Sequence, residues 1–141
     1  MDEILLEKYK IQIRAVLENK ESIVFAYLFG SSATKTFTPM SDIDIAVYLN
    51  PNVDISKERL DLVGDLMLAL KTDNIDLVIL NTSPLPLKAR VVQNKETLVD
   101  KYPSLRHSFE SLVLRQYYDF SIKENNIFRR RFPLCYKTDY F

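Results

Sequence analysis

Two aspartates open one apolar run of this chain and a third stands just inside another. Asp42 and Asp44 begin the stretch Asp-Ile-Asp-Ile-Ala-Val-Tyr-Leu, residues 42–49, and Asp76 is the second residue of Ile75-Asp76-Leu77-Val78-Ile79-Leu80. Aspartate is depleted in β-strands, so its presence in strand-like runs points to chemistry. Residues i and i+2 of a strand share a face, which makes Asp42 and Asp44 project together, about 6–7 Å apart along the backbone. Ile43 and Ile45 then point to the core. Carboxylates crowded beside buried apolar strands repel one another and lose hydration, a cost that a divalent cation offsets. Hard oxygen donors of this kind suit Mg²⁺, which takes one or two protein carboxylates and fills its shell with waters and substrate phosphates. On a neighbouring strand, Asp76 joins them as a ligand of a second metal or as the base for an attacking hydroxyl.

Gly30-Ser31 supplies the other half of this reading. Gly30 ends an apolar run and permits a sharp turn, and Ser31 starts a helical turn whose free N–H groups favour an anion such as a phosphate. Ten residues separate Ser31 from Asp42. The pattern is thus Gly-Ser, ten residues, Asp-x-Asp, and a further Asp on the next core strand, which is more specific than any of its parts.

The elements that must position these residues follow from hydrophobic spacing. Residues 2–19 place Ile4, Leu5, Ile11, Val16 and Leu17 at near-helical intervals. Ile23–Phe29 is continuously apolar, as a central strand buried on both faces is. Residues 42–49 alternate as a second strand, and residues 55–71 put Leu60, Val63, Leu66, Met67 and Leu70 on a helical stripe before the third strand at 75–80. A short helix is expected at 87–93 and an edge strand at 95–99. From Pro103 a long helix carries Leu105, Phe109, Leu112, Val113, Gln116 and Phe120. The expected architecture is α/β, a small mixed twisted sheet flanked by helices, with the site where strands one and two meet. Residues 1–100 form the core and 101–141 a C-terminal helical extension of the same unit.

Composition narrows the alternatives. The 141 residues include only two glycines, Gly30 and Gly64, so neither a Rossmann fingerprint nor a P-loop can be written. A single cysteine, Cys135, and a single histidine, His107, exclude an internal disulfide and a Cys- or His-based zinc cluster. The acidic N-terminus lacks the features of a signal peptide, no apolar run is long enough for a membrane span, and a cytoplasmic location is expected.

On Gly30-Ser31, Ser41-Asp42-Ile43-Asp44 and Ile75-Asp76-Leu77, the sequence resembles the polymerase-β-like nucleotidyltransferases over roughly residues 20–100. Its small size is similar to their minimal nucleotidyltransferase, or MNT, branch. The resemblance implies transfer of a nucleoside monophosphate to a hydroxyl with two Mg²⁺ ions. Asp42 and Asp44 would hold both metals, Asp76 would hold the acceptor-side metal and activate the hydroxyl, and Gly30 with Ser31 would bind the triphosphate. It further implies an antitoxin that transfers AMP from ATP to a tyrosine of a HEPN-domain ribonuclease toxin, in a hetero-oligomer with it. The alternatives are an antitoxin that acts by binding alone and a small-molecule adenylyltransferase of the antibiotic-modifying kind, for which the C-terminal extension is short.

The net charge of zero hides an asymmetry: residues 1–100 carry −4 and residues 101–141 carry +4. The basic segment also holds Tyr117, Tyr118, Phe120, Phe128, Phe132, Tyr136, Tyr140 and Phe141, a composition suited to a protein partner. Arg129-Arg130-Arg131 suits a solvated helix end as well as a docking surface. Direct nucleic-acid binding is not expected of a chain without overall positive charge.

Overall fold

The computed structural model describes residues 2–30 and 42–131. Its elements in chain order are helix α1 (Asp2–Glu18), strands β1 (Ile23–Phe29) and β2 (Ile43–Leu49), helix α2 (Ile55–Leu70), strand β3 (Ile75–Ile79), helix α3 (Leu85–Gln93), strand β4 (Lys95–Asp100) and helix α4 (Pro103–Arg131). A 3-10 turn at Leu80–Thr82 links β3 to α3. The sheet order is β3-β2-β1-β4. β1 runs antiparallel to both neighbours and β2 parallel to β3, so the sheet is mixed, as expected. The α2 crossover is what lets β2 and β3 run parallel.

Local sequence explains the boundaries. Asp54 caps α2 by accepting from the Lys57 N–H, and Lys71 closes it in the left-handed conformation at φ 56°, its N–H bonded to the Met67 carbonyl. α3 starts at Leu85 rather than 87, because a proline in the first turn removes only an N–H that has no helical partner.

Ile43, Ile45, Val47, Leu77 and Ile79 face α1 and α2 in one core layer. Phe25, Tyr27, Phe29 and Ala46 face the other way, toward α3 and α4, with Phe25 stacked on Tyr48 at 4.9 Å and tilted against Phe109 at 5.4 Å. All seven residues of β1 are buried, which accounts for its unbroken apolar run. α4 packs on α3 through Val113, Phe109 and Tyr117.

Two helical faces differ from the sequence expectation. α1 buries Leu6, Ile13 and Leu17 and leaves Ile4 and Ile11 exposed. α2 buries Leu62, Leu66 and Leu70, while Leu60 is 74% exposed. Both helices carry apolar residues around much of their circumference, so periodicity identifies a helix without fixing which side turns inward. On α4, likewise, Val113 is buried whereas Leu105, Leu112 and Phe120 are exposed. Among the described residues no helix is long and apolar enough to cross a membrane.

Candidate active site

The parallel register of β2 and β3 sets Asp44 directly beside Asp76, and the antiparallel register of β1 and β2 sets Phe29 on the other side of Asp44. Lys95 of β4 is the next partner of Phe29. One row across the sheet therefore reads Asp76, Asp44, Phe29, Lys95. Asp42 lies two residues before Asp44, at the entrance to β2. Asp42 and Asp76 are exposed and Asp44 is half-buried.

The position of Asp44 shapes its chemistry. Burial pushes its carboxyl above the usual carboxylate range, the charges of Asp76 and Asp42 push it further, and among the described residues Arg90 on α3 opposes them. The ionised site thus has an excess of negative charge that a cation would relieve. Gly30 follows β1 with φ +63°, a left-handed conformation, and the space where a side chain would begin is already filled by the Asp44 carboxylate. Only glycine allows the chain to leave β1 against that carboxylate.

The three aspartates and Gly30 are brought together as expected, at the end of the sheet where β1 finishes and β2 and β3 begin. Ser31 and Cys135 lie outside the described residues, as do the side chains of Arg129, Arg130 and Arg131. His107 is on α4 within 3.3 Å of the Arg106 guanidinium, away from any catalytic grouping in sequence. Among the described residues no group of three or more His, Cys, Asp or Glu side chains is placed to hold a metal ion. The donors here suit a different kind of site. They are carboxylate oxygens, two of them on solvent-facing residues, and they fit a hard cation that keeps waters and substrate oxygens in its shell.

A groove of about 360 Å³ adjoins this cluster. It is lined by Asp76, the β3 residues Leu77–Ile79, Thr82 and Ser83, with Arg59 of α2 and Arg90 of α3 also at its wall. Sequence reasoning missed both arginines, which belong to no motif and reach the groove only through tertiary packing.

A second charged cluster lies on the β1–β4 side. The Tyr27 hydroxyl donates to Glu110 at 2.6 Å, Lys95 Nζ is 3.2 Å from the same carboxylate, and Arg106 joins Glu110 at 3.2 Å and Asp100 at 2.9 Å. Lys95 also lies 5.1 Å from the centroid of the Tyr27 ring. Burial alone would raise Glu110, but the hydrogen bonds from Tyr27 and Lys95 and the neighbouring positive charges bring it below its usual value. Burial and the bond to Glu110 push the Tyr27 phenol up.

The fold is that of a nucleotidyltransferase, and the sequence agrees: the family described as polymerase beta, nucleotidyltransferase, matches residues 11–104, and the chain belongs to that family. Among solved structures, a chain of the tri-AMPylated Shewanella oneidensis HEPN toxin in complex with MNT antitoxin is similar at 25% identity and a TM-score of 0.67, covering 89% of this chain and 97% of that one. A toxin–antitoxin with AMP-PNP is similar at 28% identity and a TM-score of 0.71, covering 86% and 96%. The MntA–HepT toxin–antitoxin follows at 26% identity and 0.66, covering 88% and 97%. No curated protein matches this chain in sequence.

Proposed function

We propose that this chain is an MNT antitoxin that transfers AMP from ATP to a tyrosine hydroxyl of a HEPN ribonuclease toxin and so silences it. The observation that carries the reading is the row of Asp44 beside Asp76 with Gly30 pressed against Asp44. Support for the partner and nucleotide comes from the similar complexes, which pair an AMPylated HEPN toxin with an MNT antitoxin and include one with AMP-PNP.

Asp42, Asp44 and Asp76 would hold Mg²⁺, two ions in this reading, which supply charge neutralisation at the phosphates and at the attacking and leaving oxygens. Asp76, the member nearest the open groove, accepts the phenol proton. The phenol oxygen bonds to the α-phosphorus of ATP as that phosphorus loses its bridging oxygen to the β-phosphate, and pyrophosphate departs with the electron pair. Gly30 and Ser31 would bind the triphosphate. Asp44 is the pivot, with Gly30 on the β1 side and Asp76 on the β3 side. The C-terminal segment 101–141, basic and aromatic, serves partner docking, and deletion of residues 124–141 should abolish co-purification with the toxin.

The test separates catalysis from binding. The toxin is incubated with this chain with and without ATP and Mg²⁺, stripped of it under denaturing conditions, refolded and assayed for RNase activity. Loss of activity only after ATP treatment is expected. Full recovery in both arms would show an antitoxin that acts by binding alone.

A further inference from the structure

The β3 groove has features that transfer to a bare hydroxyl does not need. β3 is an edge strand, and its outer side has no strand partner among the described residues. The groove that follows this edge carries Asp76 and, beyond the strand, Thr82 and Ser83, with a cation from each face of the sheet. Like several other cations among the described residues, Arg59 and Arg90 enter no ion pair; what sets them apart is their place at this groove. Arg90 acts on Asp44 and belongs to the catalytic cluster. Arg59 has no such task, and an exposed guanidinium beside an open strand edge offers a forked donor for a carboxylate.

The groove reaches from Phe29, at the end of β1, past Asp76 to Ser83 beyond β3. Gly30 ends β1, and the sheet order places β1 and β3 on opposite sides of β2. With phosphates on the Gly30 side, the β3 side is left to the acceptor.

Resting on the reading above, we infer that the acceptor tyrosine arrives on an extended protein segment that adds as a strand to the outer edge of β3, with an acidic side chain near the tyrosine paired to Arg59. Strand addition supplies main-chain hydrogen bonds that hold the segment without demanding sequence, and the arginine supplies selectivity. From Asp76 to Ile79 the edge spans about 10 Å at the rise of a β-strand. The acid therefore lies within about four residues of the acceptor tyrosine.

Steady-state AMP transfer to the whole toxin tests this with the wild type, R59K, R59E, and R59E paired with a toxin whose acid is changed to lysine. R59E should raise KM for the toxin about tenfold, with the larger part of kcat and the KM for ATP retained, as loss of one charge-assisted contact predicts. R59K should sit between the two, and the charge swap should restore KM. Amide exchange within Leu77–Ile79 should slow when the toxin binds. An unchanged KM for the toxin, a rise in KM for ATP instead, absence of an acid within four residues of the labelled tyrosine, or unchanged exchange would each overturn the inference while leaving AMP transfer itself intact. No AMP transfer by the wild type would remove the reading and this inference together.

Discussion

A single row of the sheet holds two opposite solutions to the same problem. At the β3–β2 end, Asp76 and Asp44 stand side by side, and Asp44 is held above its ordinary range. At the β4 end, Lys95 meets Glu110 within a set that includes Tyr27, Arg106 and Asp100, and Glu110 is held below its ordinary value. Phe29 lies between them. Strands about 4.8 Å apart put Lys95 roughly 10 Å from Asp44 along the row, with an aromatic ring in the gap. The balanced cluster ties α4 to the sheet and needs nothing more. The unbalanced one, where like charges crowd Asp44, fits the cation and the chemistry proposed for it.

Removing the imbalance should have the largest effect. D42N/D44N should lower AMP transfer about a thousandfold or more, the several kcal/mol a catalytic metal contributes, while circular dichroism shows the fold intact. Retained transfer in this variant would end the assignment of the metal site. G30A disturbs the same cluster from the side. Its methyl group must displace the Asp44 carboxylate, so transfer should fall about a hundredfold, and a left-handed alanine should cost about 1–2 kcal/mol in denaturant unfolding.

Breaking the balanced cluster should do the reverse. E110Q leaves Lys95 and Arg106 short of a counter-charge and should cost about 2 kcal/mol of stability with little change in the kcat of the residual folded enzyme. The pH dependence has a definite sign. A carboxyl whose folded value is depressed contributes fully above its unfolded value near 4.5 and loses that contribution as pH falls through the lower, folded value. Urea midpoints should therefore drop in that acid window for the wild type, and E110Q should flatten the drop. The smallest effect is on metal-linked stability. Mg²⁺ at ten times its dissociation constant should raise wild-type stability by about 1.4 kcal/mol and leave D42N/D44N unmoved.

What was legible in the sequence follows the same division. β1, β2 and β3 could be read because a buried strand leaves a continuous or alternating pattern, and Asp42, Asp44 and Asp76 stood out because they violate it. Gly30 was readable from its place at the end of β1. The inward faces of α1 and α2 were not, because Leu60 and Leu62 are equally apolar and only packing distinguishes them. Nor could Tyr27 be linked to Glu110, or Arg59 and Arg90 to one groove, since those contacts join residues far apart in the chain with no shared motif. Acids set in a strand break a local rule and so announce themselves. Balanced ion pairs and groove-lining arginines on helices obey every local rule and become visible only in three dimensions.

Intact-mass measurement of the HEPN partner after incubation with this chain, ATP and Mg²⁺ tests the central claim most directly. The account predicts that the toxin gains one or more AMP units with the wild type and none with D42N/D44N. A toxin that binds tightly yet keeps its original mass, or one that gains AMP equally from the double variant, would contradict it.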